Sequence, residues 1–182
     1  MERLPEGTKV CVNVSTADLL DADTRSALVS RVVREMNPHR VGVEVVETED
    51  ADLWGNPAVE DVLDRLTSAG VELAVDDFGT GYSNLERIVV LPVETLKVDG
   101  SLVKRLGTDA KIDKLVKSIV SFAHDVGMRV VAEFVSSDDL VKHCRELGVD
   151  YLQGYRVSPP LPLEVAVAFA KKWLAESRNR VR

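Results

Sequence analysis

Short β-branched runs alternate with amphipathic stretches from one end of the chain to the other. The first run is Val10–Val14, and the second is Val41–Val46. Further runs cover residues 71–76, 95–98, 128–132 and 151–153. Between them, apolar residues recur at helical spacing. Leu28, Val32 and Met36 follow Asp23-Thr24-Arg25-Ser26 and stop at Asn37-Pro38. Val59, Val62, Leu63 and Leu66 follow Asn56-Pro57, where proline suits a first helical position, and Gly70 closes that helix. Leu85, Ile88 and Val89 mark a short helix before Pro92. Ile112, Leu115, Val116, Ile119, Phe122, Ala123 and Val126 mark a long one ending at Gly127. Leu140, Val141, Cys144 and Leu147 precede Gly148, and Val165, Phe169 and Trp173 lie on a last helix begun by Pro162. Strand then helix, repeated six times, predicts a parallel sheet with helices outside it. Residues 1–176 read as one domain, and 177–182 as a fraying tail.

The chemistry lies where each apolar run gives way to a loop. The runs end on Asn13, on Glu44 then Glu47, on Asp76-Asp77, on Lys97 then Asp99, on Glu133 and on Gln153. Taken singly, a strand-end carboxylate is usually a helix N-cap. Lys97 alone would be a snorkelling strand residue, and Gln153 alone a satisfied core amide. Their joint placement favours a site. A parallel (β/α) TIM-type barrel gathers all strand C-termini on one rim, whereas an open doubly wound sheet uses one switch-point crevice. Polar ends on every strand fit the barrel. Oxygen donors without a cluster of histidines or cysteines suit Mg²⁺ or Mn²⁺ better than Zn²⁺. Adjacent aspartates can serve two ions, an arrangement that supports phosphodiester hydrolysis. Lys97 would then hold the attacking water or pair with a phosphate.

Composition narrows the partners. The 182 residues carry 23 basic and 30 acidic side chains, a net charge of −7, which argues against nucleic acid. Aromatic residues make up 5%, too few for a single-strand stacking platform. No apolar run approaches the roughly 18 residues of a membrane span. No leader pattern opens the chain, so the expected location is cytoplasmic. Cys11 and Cys144 are expected to be two buried thiols.

Several of these segments resemble the EAL domain, a (β/α) barrel that hydrolyses cyclic-di-GMP with Mg²⁺ or Mn²⁺. Asp76-Asp77-Phe78-Gly79-Thr80-Gly81-Tyr82-Ser83 is similar to its most specific motif. Asn13-Val14-Ser15, Glu44-Val45-Val46-Glu47, Leu96-Lys97-Val98-Asp99, Ala132-Glu133-Phe134-Val135-Ser136 and Gln153-Gly154-Tyr155 resemble the others, in family order. The resemblance implies metal ligands at Asn13, Glu44, Asp76, Asp77 and Glu133. It implies catalytic roles for Lys97, Glu133 and Gln153, and a loop-anchoring role for Glu47.

The departures shape the functional expectation. The Glu-Ala-Leu strand that names the family would precede the asparagine strand, and it does not occur before Thr8. Where the family has Ala-Glu-Gly-Val-Glu, this chain has Phe134 for the glycine and Ser136 for the second glutamate. The expectation is therefore an incomplete barrel of about six βα units that lacks the first strands. It would be impaired in hydrolysis and act as a cyclic-di-GMP-binding or protein-interaction module in bacterial signalling. The alternative is an active phosphodiesterase that yields linear pGpG, its missing ligand supplied by another segment or tolerated. Open barrel edges at residues 10–14 and 151–153, with uncovered apolar inward faces, predict self-association.

Overall fold

The computed structural model describes residues 3–46, 56–79 and 85–180. Glu47, the acidic loop at 49–52 and the part of the Asp-Asp-Phe-Gly motif at 80–84 lie outside the described residues. Six strands form one parallel sheet in chain order: β1 (Val10–Val14), β2 (Val41–Val46), β3 (Glu72–Phe78), β4 (Thr95–Val98), β5 (Arg129–Ala132) and β6 (Tyr151–Leu152). The sheet ends at β1 and β6, so among the described residues it is open, as an incomplete barrel would be.

The helices between the strands are α1 (Thr16–Leu20), α2 (Ala22–Val29), α3 (Pro57–Ser68), α4 (Leu85–Val90), α5 (Gly100–Val103), α6 (Ala110–Asp125), α7 (Asp138–Leu147) and α8 (Leu163–Arg180). Most begin where a side chain satisfies the free N–H groups of the first turn. Asn56 accepts from the Ala58 N–H and Asp109 from the Lys111 N–H, both at 3.0 Å. Ser137 caps α7, which ends at Gly148 in the left-handed conformation (φ +87°). Helix α1 was not expected from apolar spacing. Its signal is the Ser15-Thr16-Ala17-Asp18 capping box, in which the Asp18 carboxylate accepts from the Ser15 N–H at 2.9 Å. Helix α2 widens into a π-helical turn at Ser30–Glu35, and Met36 falls beyond it, exposed. Strand β6 is one residue shorter than expected, and α8 continues to Arg180, into the segment expected to fray.

Register assigns every strand residue to one of two faces. Val43, Val45, Leu73, Val75, Leu96, Val98, Val130 and Ala132 face the helices and are buried. One apolar cluster joins β1–β3 to α1–α3, and a second joins β3–β5 to α5–α7. The alternate residues point to the opposite, inner face. Parallel sheets flanked on both sides read as continuous apolar runs, and these strands do not. Glu72, Ala74 and Asp76 on β3, Thr95 and Lys97 on β4, and Arg129 and Val131 on β5 share the inner face.

That corrects one expectation: the inward face is polar and ion-paired, not an uncovered apolar surface. At its lower end Glu72 pairs with Lys9, accepts from the Thr95 hydroxyl at 2.7 Å and meets Arg129 at 2.9 Å. A second correction concerns the thiols. Cys144 is buried, but Cys11 is exposed, because β1 is the edge strand and has a neighbour on one side only.

Candidate metal and phosphodiester site

At the upper end of the inner face, four strands deliver charge to one point. Lys97 Nζ lies 2.6 Å from Glu44 Oε2, 2.8 Å from Asp76 Oδ1 and 2.8 Å from Glu133 Oε1. Lys97, Asp76 and Glu133 are all buried. Strand pairing explains the convergence. Glu44 lies opposite Ala74, two residues before Asp76, and Lys97 lies opposite Val131, two residues before Glu133. With a side-chain period of two, residues two apart share a face.

Asp77 should by that rule point away from Asp76. It does not, because β3 carries a bulge between Val75 and Phe78, opposite Leu96 and Val98. The extra residue places Asp77 at φ +57°, and Phe78 resumes the outward register in the core. Asp76, Asp77 and Glu133 each then offer an oxygen within 4.8 Å of the others. The left-handed backbone at a non-glycine residue is a local cost that aspartate tolerates better than most side chains.

The electrostatics follow from burial and charge balance. Burial works against the charged form of Lys97, but hydrogen bonds to Asp76, Glu133 and Glu44 outweigh it and raise its pKa. Lys97 is therefore a fixed cation at neutral pH, not a proton acceptor. Burial raises the Glu133 carboxyl, with Lys97 opposing the shift. Burial and then the Asp76 and Asp99 carboxylates raise Asp77. One ammonium facing four carboxylates leaves an excess of negative charge on hard oxygen donors. Such a donor set fits Mg²⁺ or Mn²⁺, with Asp76, Asp77 and Glu133 the residues that would hold the ion.

The other expected site residues sit further out. Asn13 lies opposite Glu44 on the inner face but is exposed on the edge strand. Gln153 is exposed; its backbone bonds to Ala132 and Val135, and it lines a neighbouring groove. Asp99 caps α5, accepting from the Ser101 N–H at 2.8 Å. The lower network of Lys9, Glu72, Thr95 and Arg129 was missed from sequence. Its signal was present: every second residue of β3 and β4 is polar or small, and β5 begins on Arg129.

Comparison with known proteins places this geometry. The EAL domain pattern matches residues 1–160. "Probable cyclic di-GMP phosphodiesterase PdeN" of Escherichia coli (strain K12) is 30% identical over 169 residues, 93% of this chain and 32% of that protein. "Cyclic di-GMP phosphodiesterase NbdA" of Pseudomonas aeruginosa is 32% identical over 180 residues, 97% of this chain and 22% of that protein. The chain thus spans less than a third of the length of either. A solved structure described as the PaMucR phosphodiesterase in complex with cyclic-di-GMP superposes with a TM-score of 0.77 at 30% identity, covering 87% of this chain and 64% of that one. The EAL domain of Mycobacterium smegmatis DcpA superposes at 0.79 with 27% identity, covering 90% of this chain and 73% of that one. Among the described residues, no helix is long and apolar enough to cross a membrane.

Proposed function

This chain belongs to the EAL domain family, and from that premise we propose that it binds cyclic-di-GMP at the Asp76–Asp77–Glu133 cluster while being impaired in its hydrolysis, as a binding or protein-interaction module of bacterial signalling. The carrying observation is the convergence of these three carboxylates and Glu44 around Lys97 at the strand ends. A divalent ion bound there would polarise a phosphodiester oxygen and lower the pKa of a bound water. Lys97 Nζ supplies a fixed positive charge for a phosphate oxygen or for the water. Glu133 and Asp76 hold that ammonium in place, and Glu44 fixes it from the β1 side of the sheet. The impairment rests on donor number. Among the described residues, one group of three acidic side chains has ligand geometry, and Ser136 offers no carboxylate. Two-metal hydrolysis needs donors for both ions.

The purified chain, incubated with cyclic-di-GMP and Mn²⁺, is expected to bind it with micromolar affinity by calorimetry and to release no linear product. Turnover that Asp76→Asn abolishes would instead establish the active phosphodiesterase. Neither binding nor turnover would leave the protein-interaction role.

Self-association belongs to the same proposal. The outer edges of β1 and β6 end the sheet, and Val12 on β1 is 42% exposed. Unpaired strand edges template further pairing. A dimer or larger species is expected by light scattering at high micromolar concentration, and a strict monomer would refute it.

A further inference from the structure

The helix side of the sheet carries a second concave surface. Helix α2, with its π-helical turn at Ser30–Glu35, stands beside α3 and leaves an open groove between them. The groove has two lobes, of about 310 and 470 Å³, which share Val29, Arg34 and Arg65. A π-helical turn widens a helix, and such turns recur at functional positions. This one contributes Ser30 and Arg34 to the groove wall. The carboxylate cluster, by contrast, lies on the inner face of the sheet.

Three arginines line the first lobe: Arg25 and Arg34 from the α2 side, and Arg65 from α3. Their convergence runs against the charge of the whole chain, which is −7. Arg25 is half-buried, and its Nη1 donates to the Leu19 carbonyl at 2.6 Å. That bond fixes the guanidinium and leaves its other N–H groups for a ligand. Arg34 is exposed, with no hydrogen-bond or ion-pair partner among the described residues. Arg65 meets Asp61 at 3.5 Å, an exposed pair that contributes little and exchanges readily. Asp61 and, in the second lobe, Asp64 are the carboxylates on the wall, so the lining keeps an excess of positive charge. Ser26 and Ser30 add hydroxyls, and the buried Val29 and Val62 form the floor.

Arginine holds phosphoryl oxygens through paired N–H donors, so guanidinium groups on two facing helices suit a phosphorylated ligand. Arg25 and Arg34 are more than two turns apart along α2 and its extension, roughly 12 Å of helix rise. Linked phosphoryl groups engage donors spread over that length better than a single phosphate does. We propose that the groove between α2 and α3 is a binding site for a diphosphate group, inorganic or carried by a nucleotide.

The test is calorimetry at low salt in buffer passed over a chelating resin, where no metal can hold a phosphate at the carboxylate cluster. Pyrophosphate, ADP and adenosine are titrated into the wild-type chain, Arg34→Gln, Arg34→Lys, Arg65→Gln and Asp61→Asn. Arg34 has no partner to lose, so Arg34→Gln is expected to keep the wild-type melting temperature. It should weaken pyrophosphate about tenfold or more, the loss of one charge-assisted contact. Arg34→Lys should recover only part of that loss, because an ammonium keeps the charge without the fork. Arg65→Gln should weaken pyrophosphate as Arg34→Gln does. Asp61→Asn should strengthen it by about two- to fivefold, since a competing carboxylate is removed. ADP binding tighter than pyrophosphate would support the site and identify a nucleotide as the source. Pyrophosphate binding as tightly as ADP would support it with the inorganic anion as ligand. Binding that ignores both Arg34→Gln and Arg65→Gln, adenosine binding as tightly as ADP, or no binding of pyrophosphate or ADP would overturn the proposal. None of these results bears on cyclic-di-GMP, whose binding is measured separately with Mn²⁺.

Discussion

Lys97→Met is expected to destabilise the metal-free protein by about 3–5 kcal/mol at pH 8, the range for removing one partner of a buried ion cluster. The variant leaves Glu44, Asp76 and Glu133 facing one another without the ammonium that now touches all three. Methionine keeps the volume of the lysine stem, so the loss is electrostatic and not a cavity. Two further readings identify the cause. Without Lys97 the Glu133 carboxyl, already raised by burial, loses the contact that opposes the shift and stands further above its unfolded value of about 4. The deficit is therefore full above the ordinary carboxylate range and shrinks as the pH falls through the raised value. Added Mn²⁺ should restore most of the lost stability, because a divalent cation replaces the missing charge and binds the folded state only. Chemical denaturation with EDTA at pH 8 and pH 5, and again with Mn²⁺, measures all three. A variant as stable as the wild type at pH 8 without metal would show that the cluster is hydrated and that Lys97 does not neutralise it.

Asp77→Asn is expected to act in the opposite sense on stability while removing metal. The Asp77 carboxyl is raised by burial and by its acidic neighbours Asp76 and Asp99. Its ionised form therefore opposes folding at neutral pH. The sign follows from linkage: a carboxyl raised in the folded state weighs against stability above its unfolded pKa, and the penalty is relieved as the pH falls. Asparagine is nearly isosteric and keeps the left-handed backbone that the bulge requires. Without metal, the melting temperature of the variant should equal or exceed that of the wild type. Mn²⁺ affinity, followed by calorimetry or by the paramagnetic relaxation of water, should fall by about 10–100-fold, since one of the three carboxylates that would hold the ion is lost. Unchanged Mn²⁺ affinity would move the ion off Asp77. A large loss of stability would mean that its carboxylate holds the bulge together.

Much of the fold was legible because it is written in short-range pattern. The β-branched runs and helical spacings located six strands and most helices. Proline and asparagine at the start of α3 and glycine after α7 marked element ends by backbone chemistry alone. Helix α1 escaped because a five-residue helix has too few apolar positions to show a period, although its capping box was present. The exposed Cys11 escaped for a different reason: an edge strand has the same composition as a central one, and its missing neighbour is not a local property. The polar inner face lay between these cases. Its alternation is visible in Glu72, Ala74 and Asp76, but apolar neighbours in the same runs suggested an apolar inward face left uncovered.

The sequence by itself determined the parallel α/β architecture and the placement of Glu44, Asp76, Lys97 and Glu133 at strand ends, because period-two alternation and strand-to-loop transitions are encoded within a few residues. It also carried the family membership, through motifs in a fixed order. Only the tertiary structure decided which of these groups meet. Register set Lys97 against three carboxylates at once, left Asn13 exposed on the edge strand and turned Gln153 toward the groove lined by Phe134. A single bulge turned Asp77 onto the same side as Asp76. Register and bulges depend on long-range pairing between strands tens of residues apart, so charge convergence is a property of the assembled sheet and not of any one strand.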